Sequence, residues 1–309
     1  MKAVTLNAFD TAPSLRDGLP APIAAPNEVL VRVHASSANP ADSSIAAGLL
    51  EQMGVEYEFP VVLGRDYAGV VEQVGANVTR NAVGDEVFGF VLHANPTVRD
   101  GSWAELITVP EDLSVAAAPA GVDIAVAGAA PLAGIAAMTS IDALRLTGGD
   151  TLLIVGATGG VGSFAVQLAA RAGATIVAPA LPDDEDYLRE LGVSELLPRD
   201  AELARAARER YPYGFDAVLD LVNYAPDVPA TLVKEGGRVA SPTGAAGEGA
   251  GRTMVMAAPT SENLQRLAGL LADGTLRVHI QETYQLDQAP EALAALTATH
   301  TQGKLAIDI

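Results

Sequence analysis

The chain has 309 residues, 49% of them apolar, with a formal net charge of −19 and no cysteine. That length suits two domains at roughly 100–200 residues each, and no stretch approaches the roughly 18 uninterrupted apolar residues of a membrane span. The acidity argues against nucleic acid and anionic membrane surfaces as partners, because both are bound through clustered Lys and Arg. Lack of cysteine excludes disulfides, thiolate nucleophiles and cysteine-ligated zinc.

The opening MKAVTLNAFD has one lysine followed by a mixed polar run, without the apolar core of a secretory leader, so the expected location is the cytoplasm. Over the first hundred or so residues, VLVRVHAS, GVVEQVGA, DEVFGFVL and AELITVP alternate or run apolar between Gly, Pro, Asn and Asp, which predicts short strands and little helix. From about Gly121 the texture changes to Ala-rich helical stretches between short apolar strands, the pattern of βαβ units and a parallel sheet.

The strands read there are TLLIV, TIVAP, SELL, FDAVLDLV, GRVASP and TMVMA. The crossover helices read between them are VGSFAVQLAARAG, DDEDYLRELG, DAELARAARERY and APDVPATLVKEGG, with apolar residues at three-to-four spacing and most closed by glycine. Beyond Pro259, SENLQRLAGLLADG and LRVHIQETYQL read as helices, and KLAIDI reads as a final strand.

Between TLLIV and the helix that follows it, the chain reads Gly156-Ala157-Thr158-Gly159-Gly160-Val161-Gly162. Glycine at such a strand–turn–helix junction lets main-chain N–H groups and the helix N-terminus approach a pyrophosphate. Gly156, Thr158, Gly159, Gly160, Val161 and Gly162 are therefore assigned to a dinucleotide, NADPH or NADH. A nucleotide-hydrolysing phosphate loop needs Gly-Lys-Ser/Thr at the helix start, where this chain has Gly162-Ser163-Phe164.

The residue that chooses between the cofactors falls about twenty positions on, in the neutral Ala178-Pro179-Ala180-Leu181-Pro182 and the acidic Asp183-Asp184-Glu185-Asp186. That acidic run has two readings: it repels a 2′-phosphate, or it caps an exposed helix N-terminus. Asn223, at the end of FDAVLDLV, and Ser241 to Thr243, after GRVASP, fall at strand C-termini, where doubly wound sheets bind ligands.

The whole chain resembles the zinc-independent medium-chain dehydrogenase/reductases, specifically the quinone oxidoreductases of the zeta-crystallin type. The stretches that carry the likeness are VLVRVHASSANPADSSIAAG, FPVVLGRDYAGVVEQVG, GDEVFGF, GSWAELITVP, LLIVGATGGVGSFAVQLAARAGA, GGRVASPTG and GKLAIDI. The resemblance implies an α/β protein: a GroES-like β-rich catalytic domain from residues 1–120 and 260–309, and a Rossmann doubly wound parallel-sheet domain from 121–259. It also implies that Asn39 and Asp42, in the motif Asn39-Pro40-Ala41-Asp42, line the active site beside the nicotinamide. Asn before Pro with Asp two residues later equally suits an Asx-type turn.

Zinc-dependent relatives place a cysteine ligand in the segment matching SSANPADSS; its absence implies no zinc. NADPH-specific relatives carry a basic residue at the place aligned with Asp183, and Arg199 is the nearest compensating cation, or a solvated surface charge. Lys304 closes the cofactor cleft or is a surface lysine. Relatives also place a tyrosine shortly after the Asn-Pro motif, where this chain has Ser44 and Leu49-Leu50. That leaves Tyr57, Tyr67, Ser43, His93 or solvent as the proton source.

The function expected is hydride transfer from NAD(P)H to a small quinone or α,β-unsaturated carbonyl. An enoyl-thioester or other specialised enone reductase, and a non-catalytic NAD(P)H-binding regulator, are the alternatives. A homodimer joined through the edge strand Thr253–Ala257 is implied by relatives that pair there.

Overall fold

The computed structural model describes residues 1–309 except 10, 92–96, 98–100, 200–201, 224–226 and 299. Two compact units form: Met1–Leu132 with Pro259–Gly274 and Ile280–Ile309, and Ala133–Ala258 with Thr275–His279.

In chain order the first unit opens with β1 (Ala3–Leu6), β2 (Ser14–Arg16), β3 (Glu28–Ala38), α1 (Pro40–Ala46), α2 (Leu49–Gln52), β4 (Val61–Val62), β5 (Asp66–Val74), β6 (Glu86–Phe90), β7 (Leu106–Pro110), β8 (Ala116–Ala117) and α3 (Ile124–Ala129). Helix α4 (Pro131–Leu144) carries the chain onward. The second unit contains β9 (Thr151–Val155), α5 (Gly160–Arg171), β10 (Thr175–Ala180), α6 (Glu185–Leu191), β11 (Glu195–Pro198), α7 (Leu203–Arg210), β12 (Phe215–Asp220), α8 (Asp227–Ala230), β13 (Val233–Ser241) and β14 (Arg252–Met254). Then α9 (Ser261–Ala272), β15 (Ile280–Gln285), α10 (Ala289–Ala298) and β16 (Lys304–Asp308) return to the first unit.

The first unit's main sheet runs β15-β16-β3-β5-β6-β8, with β7 also pairing β3. Alternation along β3 places Val29, Val31 and Val33 in a core with Tyr67, Val71, Val87, Ile107 and Val109, the period of two expected of a strand with one buried face. Ile45 of α1 joins a second cluster with Leu63, Trp103, Leu293, Leu305 and Ile307. This anchors α1 against the strands that carry the polar residues described below. Helix α3 packs on β3 and β5, so the first unit extends to Leu132, past the composition change near Gly121.

The second unit is a six-stranded sheet in the order β11-β10-β9-β12-β13-β14, parallel throughout. Numbered along this unit the order is 3-2-1-4-5-6, with its switch point between β9 and β12, where dinucleotide folds bind their ligand. Its strands read as nearly continuous apolar runs because both faces are covered. Leu153, Val155, Val177, Phe215, Val218 and Val239 fill one core cluster.

Three sequence expectations are corrected. LRVHIQETYQL is not a helix: Ile280–Gln285 forms β15, parallel to β16 with Thr283 opposite Ala306, and the paired strand overrides helical-looking spacing in a segment rich in Ile, Thr and Tyr. Among its described residues APDVPATLVKEGG forms the short α8 and no longer helix, because Val233 already pairs with Phe215 at the start of β13. The edge strand is shorter than Thr253–Ala257: β14 spans Arg252–Met254, pairing with β13 from Val239 to Ser241.

Candidate active site

In the second unit the glycine turn begins where β9 ends. Gly156 has φ +88°, and a Cβ on it would meet Val222 Cγ2 at 2.5 Å, so only glycine suits this position on both counts. A Cβ on Gly162 would lie 2.1 Å from the Gly156 carbonyl oxygen and 2.6 Å from Ala157 Cα. Only a bare α-carbon lets the first turn of α5 fold back onto the loop.

Ser163 N–H donates to the Gly159 carbonyl at 2.8 Å, closing the first turn. Gly159 is the N-cap and brings no side chain to the opening N–H groups of α5. Those groups at a helix N-terminus form a ready anion site. Thr158 is buried, while Gly159, Gly160 and Val161 are half-exposed. The donor set and the missing side chains fit a pyrophosphate.

The neighbouring strand tips are held by side chains. Asp220 Oδ1 accepts the Val222 and Asn223 N–H groups at 3.0 and 3.1 Å, and its Oδ2 is buried with no hydrogen-bond partner among the described residues. Asn223 sits at φ +58°, a conformation Asn tolerates better than most residues, and donates Nδ2 to the Thr243 carbonyl at 3.1 Å. Ser241 Oγ lies 3.0 Å from Thr243 Oγ1 and accepts the Thr243 N–H at 3.1 Å. The structure thus brings Asn223, Ser241 and Thr243 together. Arg199 is exposed after β11, at the far edge of the same sheet.

In the first unit, five chain segments bring buried polar groups together. Asn39 ends β3's approach to α1, and its main-chain N–H donates to Asp42 Oδ2 at 2.8 Å. The Asn39 side chain turns away from the helix. Its Nδ2 donates to Asp66 Oδ2 at 2.9 Å and its Oδ1 accepts from Lys304 Nζ at 2.6 Å. Lys304 Nζ also lies 3.3 Å from Asp66 Oδ2, and Ser37 Oγ donates to that oxygen at 2.6 Å. Asp66 Oδ1 accepts the N–H of Leu132 at 2.7 Å, satisfying a donor in the first turn of α4. Trp103 Nε1 reaches the Ser37 carbonyl at 3.3 Å.

Lys304 is 4% exposed and belongs to this first-unit cluster. It is not a surface lysine: its ammonium is held by Asn39 and Asp66. Arg65 Nε stands 3.9 Å from Asp42 Oδ1. Burial pushes the Asp42 carboxyl up to about 7, against the opposing pull of Arg65 and of the Asn39 N–H. Taking the carboxylate charge out of water is disfavoured, and at Asp42 that cost outweighs the pull of Arg65.

Tyr67 is buried with its hydroxyl on the Ser114 carbonyl at 2.6 Å, and Tyr57 donates to the Ile45 carbonyl at 3.1 Å. Burial raises both phenols above their ordinary value. Ser43 Oγ is buried with no hydrogen-bond partner among the described residues, and His93 lies outside the described residues. Sequence reading missed Arg65 and Asp66 as site residues. The available signal was a charged pair set inside VVLGRDYAGVV, an otherwise apolar strand context in which charge must be buried and paired.

Residues 25–120 match the alcohol dehydrogenase GroES-like domain and residues 191–307 the zinc-binding dehydrogenase family. A chloroplast envelope quinone oxidoreductase homolog from Arabidopsis thaliana is 29% identical over 331 residues, covering 100% of this chain and 98% of that protein. A 2-methylene-furan-3-one reductase from Solanum lycopersicum is 31% identical over 287 residues, 91% of this chain and 71% of that protein. The chain belongs to the quinone oxidoreductase branch of the medium-chain dehydrogenase/reductase family. The solved quinone oxidoreductase of Coxiella burnetii superposes with a TM-score of 0.89 at 27% identity, covering 100% of this chain and 99% of that one.

Zinc is named in one of the family descriptions. Among the described residues no three His, Cys, Asp or Glu side chains gather where they could hold a metal. Asp42 and Asp66 already face Arg65 and Lys304, two buried cations that oppose a further positive charge.

Proposed function

We propose that this protein is a reductase that moves hydride from NADH or NADPH to a quinone or an α,β-unsaturated carbonyl. The observation that carries the reading is the glycine turn at the switch point of a 3-2-1-4-5-6 sheet. The names of the relatives supply the acceptor class: quinone oxidoreductase homolog and 2-methylene-furan-3-one reductase.

When bound, the nicotinamide supplies the hydride, and an acceptor already activated by conjugation takes it without a metal to polarise it. The residues of the turn, from Gly156 to Gly162, hold the pyrophosphate against the N-terminus of α5, and Asn223, Ser241 and Thr243 shape the adjoining strand tips. Arg199 is the cation offered to an additional phosphate.

On the acceptor side, Asn39 acts by position, since both ends of its amide are occupied by Asp66 and Lys304. Asp42 is the group in that cluster that holds a proton near neutral pH, and each turnover requires one proton to accompany the hydride. The GroES-like unit is thus the catalytic domain, and the Rossmann unit the cofactor domain.

The same reading makes the protein a cytoplasmic homodimer joined along β14, the free edge of the parallel sheet. Met254 in β14 and Met256 just beyond it are 65% and 76% exposed, and an apolar edge is protected by pairing. No helix among the described residues is long and apolar enough to cross a membrane. Light scattering on the purified protein tests the dimer, and Met254→Glu should shift it toward monomer.

Activity is tested by following the absorbance of the reduced cofactor before and after adding a simple benzoquinone or an alkenone. Acceptor-dependent loss supports a reductase. Cofactor binding without turnover on either acceptor class favours the non-catalytic regulator, and no binding at all removes the dinucleotide reading.

A further inference from the structure

The two buried carboxyls of the first unit are anchored unequally. Asp66 has both oxygens occupied: Oδ1 accepts the Leu132 N–H, and Oδ2 faces Ser37, Asn39 and Lys304. Asp42 has one. Its Oδ2 accepts the Asn39 main-chain N–H at 2.8 Å, while its Oδ1 is buried with no hydrogen-bond partner among the described residues. A protonated carboxyl carries its hydrogen on one oxygen and still accepts through the other, and this division leaves Oδ1 as the place for it.

Arg65 faces that oxygen. Its Nε stands 3.9 Å away, and the two residues are 5% and 0% exposed. The separation is about 1 Å beyond a charge-assisted hydrogen bond, so the guanidinium acts on Asp42 through its charge and leaves Oδ1 room to bear a hydrogen. Lys304, the other buried cation, is held at Asn39 and Asp66.

The remaining groups around α1 are weaker influences. Tyr57 is tied to the Ile45 carbonyl, and α2 and α10, packed on α1, bring Glu51 and Glu291, both exposed to solvent. Burial acts most strongly on the Asp42 carboxyl and pushes it up to about 7, with Asp66 adding to the rise. Arg65 is the strongest opposing influence, ahead of the Asn39 N–H and of Lys304.

We propose that Arg65 is a positioning residue for the proton that accompanies hydride, acting through Asp42: it faces the unbonded oxygen of that carboxyl and steadies the carboxylate left when the proton departs. The inference rests on the reductase reading above and deepens it. The Oδ1–H bond of Asp42 breaks as the acceptor takes hydride from the reduced nicotinamide, which is thereby oxidised. The electron pair of that bond stays on the carboxylate, the proton goes to the reduced acceptor, and solvent returns a proton before the next turnover. A buried carboxylate without a counter-ion is strongly disfavoured, so without Arg65 the proton would be kept and not given.

The test is the pH profile of kcat with reduced cofactor and a simple benzoquinone or alkenone, for the parent, Arg65→Gln, Arg65→Met and Arg65→Lys, with a thermal melt of each. The parent's kcat is expected to fall as pH rises through about 7. In Arg65→Gln and Arg65→Met the fall should move up by at least about one pH unit, the scale of one close opposite charge. The plateau below it should drop, because a weaker acid donates less readily, with KM little changed. Arg65→Lys keeps the charge and should return the profile toward the parent's.

A folded neutral variant whose fall coincides with the parent's overturns the role of Arg65. A parent profile that is level through neutrality overturns it as well and needs no variant. Absence of turnover on either acceptor is the separate failure of the reductase reading, and the pair is then read from denaturant unfolding against pH, each form compared with its Asp42→Asn counterpart. The loss of stability with rising pH, complete near pH 7 in the parent, should run on to higher pH without Arg65; coincident curves overturn the coupling of Arg65 to Asp42.

Discussion

The two regions of interest are built from different material. In the second unit the cradle is main chain: glycines keep side chains away so that N–H groups and a helix end stay open. In the first unit the cluster is side chain: Asn39, Asp42, Arg65, Asp66 and Lys304 neutralise and orient one another out of water. The main-chain cradle fails when an atom is added, and the side-chain cluster fails when one is removed. Mutations should separate the two in that way.

The largest effect is expected from Gly162→Ala, whose new methyl would press on the Gly156 carbonyl at 2.1 Å, a main-chain atom that cannot swing aside. Displacing the loop by even ~1 Å should weaken cofactor binding by about 100-fold, with a smaller loss of stability, about 1–3 kcal/mol. Normal titration curves for this variant would mean that the cradle is not made as described.

Next comes Lys304→Met, which leaves Asp66 buried without its cation. Breaking a buried pair from one side costs about 3–5 kcal/mol, to be read by denaturant unfolding. A variant as stable as the parent would show that the cluster is held by packing and not by charge.

Asp42 sharpens the contrast through pH. Its folded carboxyl is raised to about 7, above the unfolded value of about 3.9. Its favourable contribution is therefore complete below about pH 4 and is lost as pH rises through about 7. Asp42→Asn keeps an oxygen for the Asn39 N–H but cannot ionise, so it should gain on the parent by on the order of a few kcal/mol between about pH 5 and pH 8. A parallel pair of stability profiles would contradict this.

The smallest effect expected is that of Ser241→Ala, which removes the acceptor of the Thr243 and Ala245 N–H groups at 3.1 and 3.2 Å. About 1 kcal/mol is the expected loss, measured by the same unfolding curves. The binding of the cofactor should change more than the stability if this tip serves it.

Much of the second unit was legible because its information is local. Thr151–Val155, the glycine turn and α5 are consecutive, so spacing alone reports them. LRVHIQETYQL misled because its strand character comes from β16, a partner some twenty residues away. The Arg65–Asp66 pair was hidden for a related reason: nothing near it in sequence supplies its partners, which come from α1 and β16. The Asn39 motif looked like a choice between turn and site. Its main-chain N–H serves the turn while its side chain serves the cluster, and only coordinates assign those two ends separately.

The place of β16, between β15 and β3, also sets an order of events during synthesis. Lys304 follows Asp66 by 238 residues, so β3 and β5 leave the ribosome with the intervening parallel sheet still to be made. That sheet is encoded almost continuously, from Ala133 to Ala258, and can close as soon as it emerges. The strands translated first are therefore among the last to be completed. Until residues 304–308 arrive, β3 waits with an open edge and Asp66 with no ammonium beside it. In that interval the open strand edge is the part of the nascent chain most exposed to mispairing.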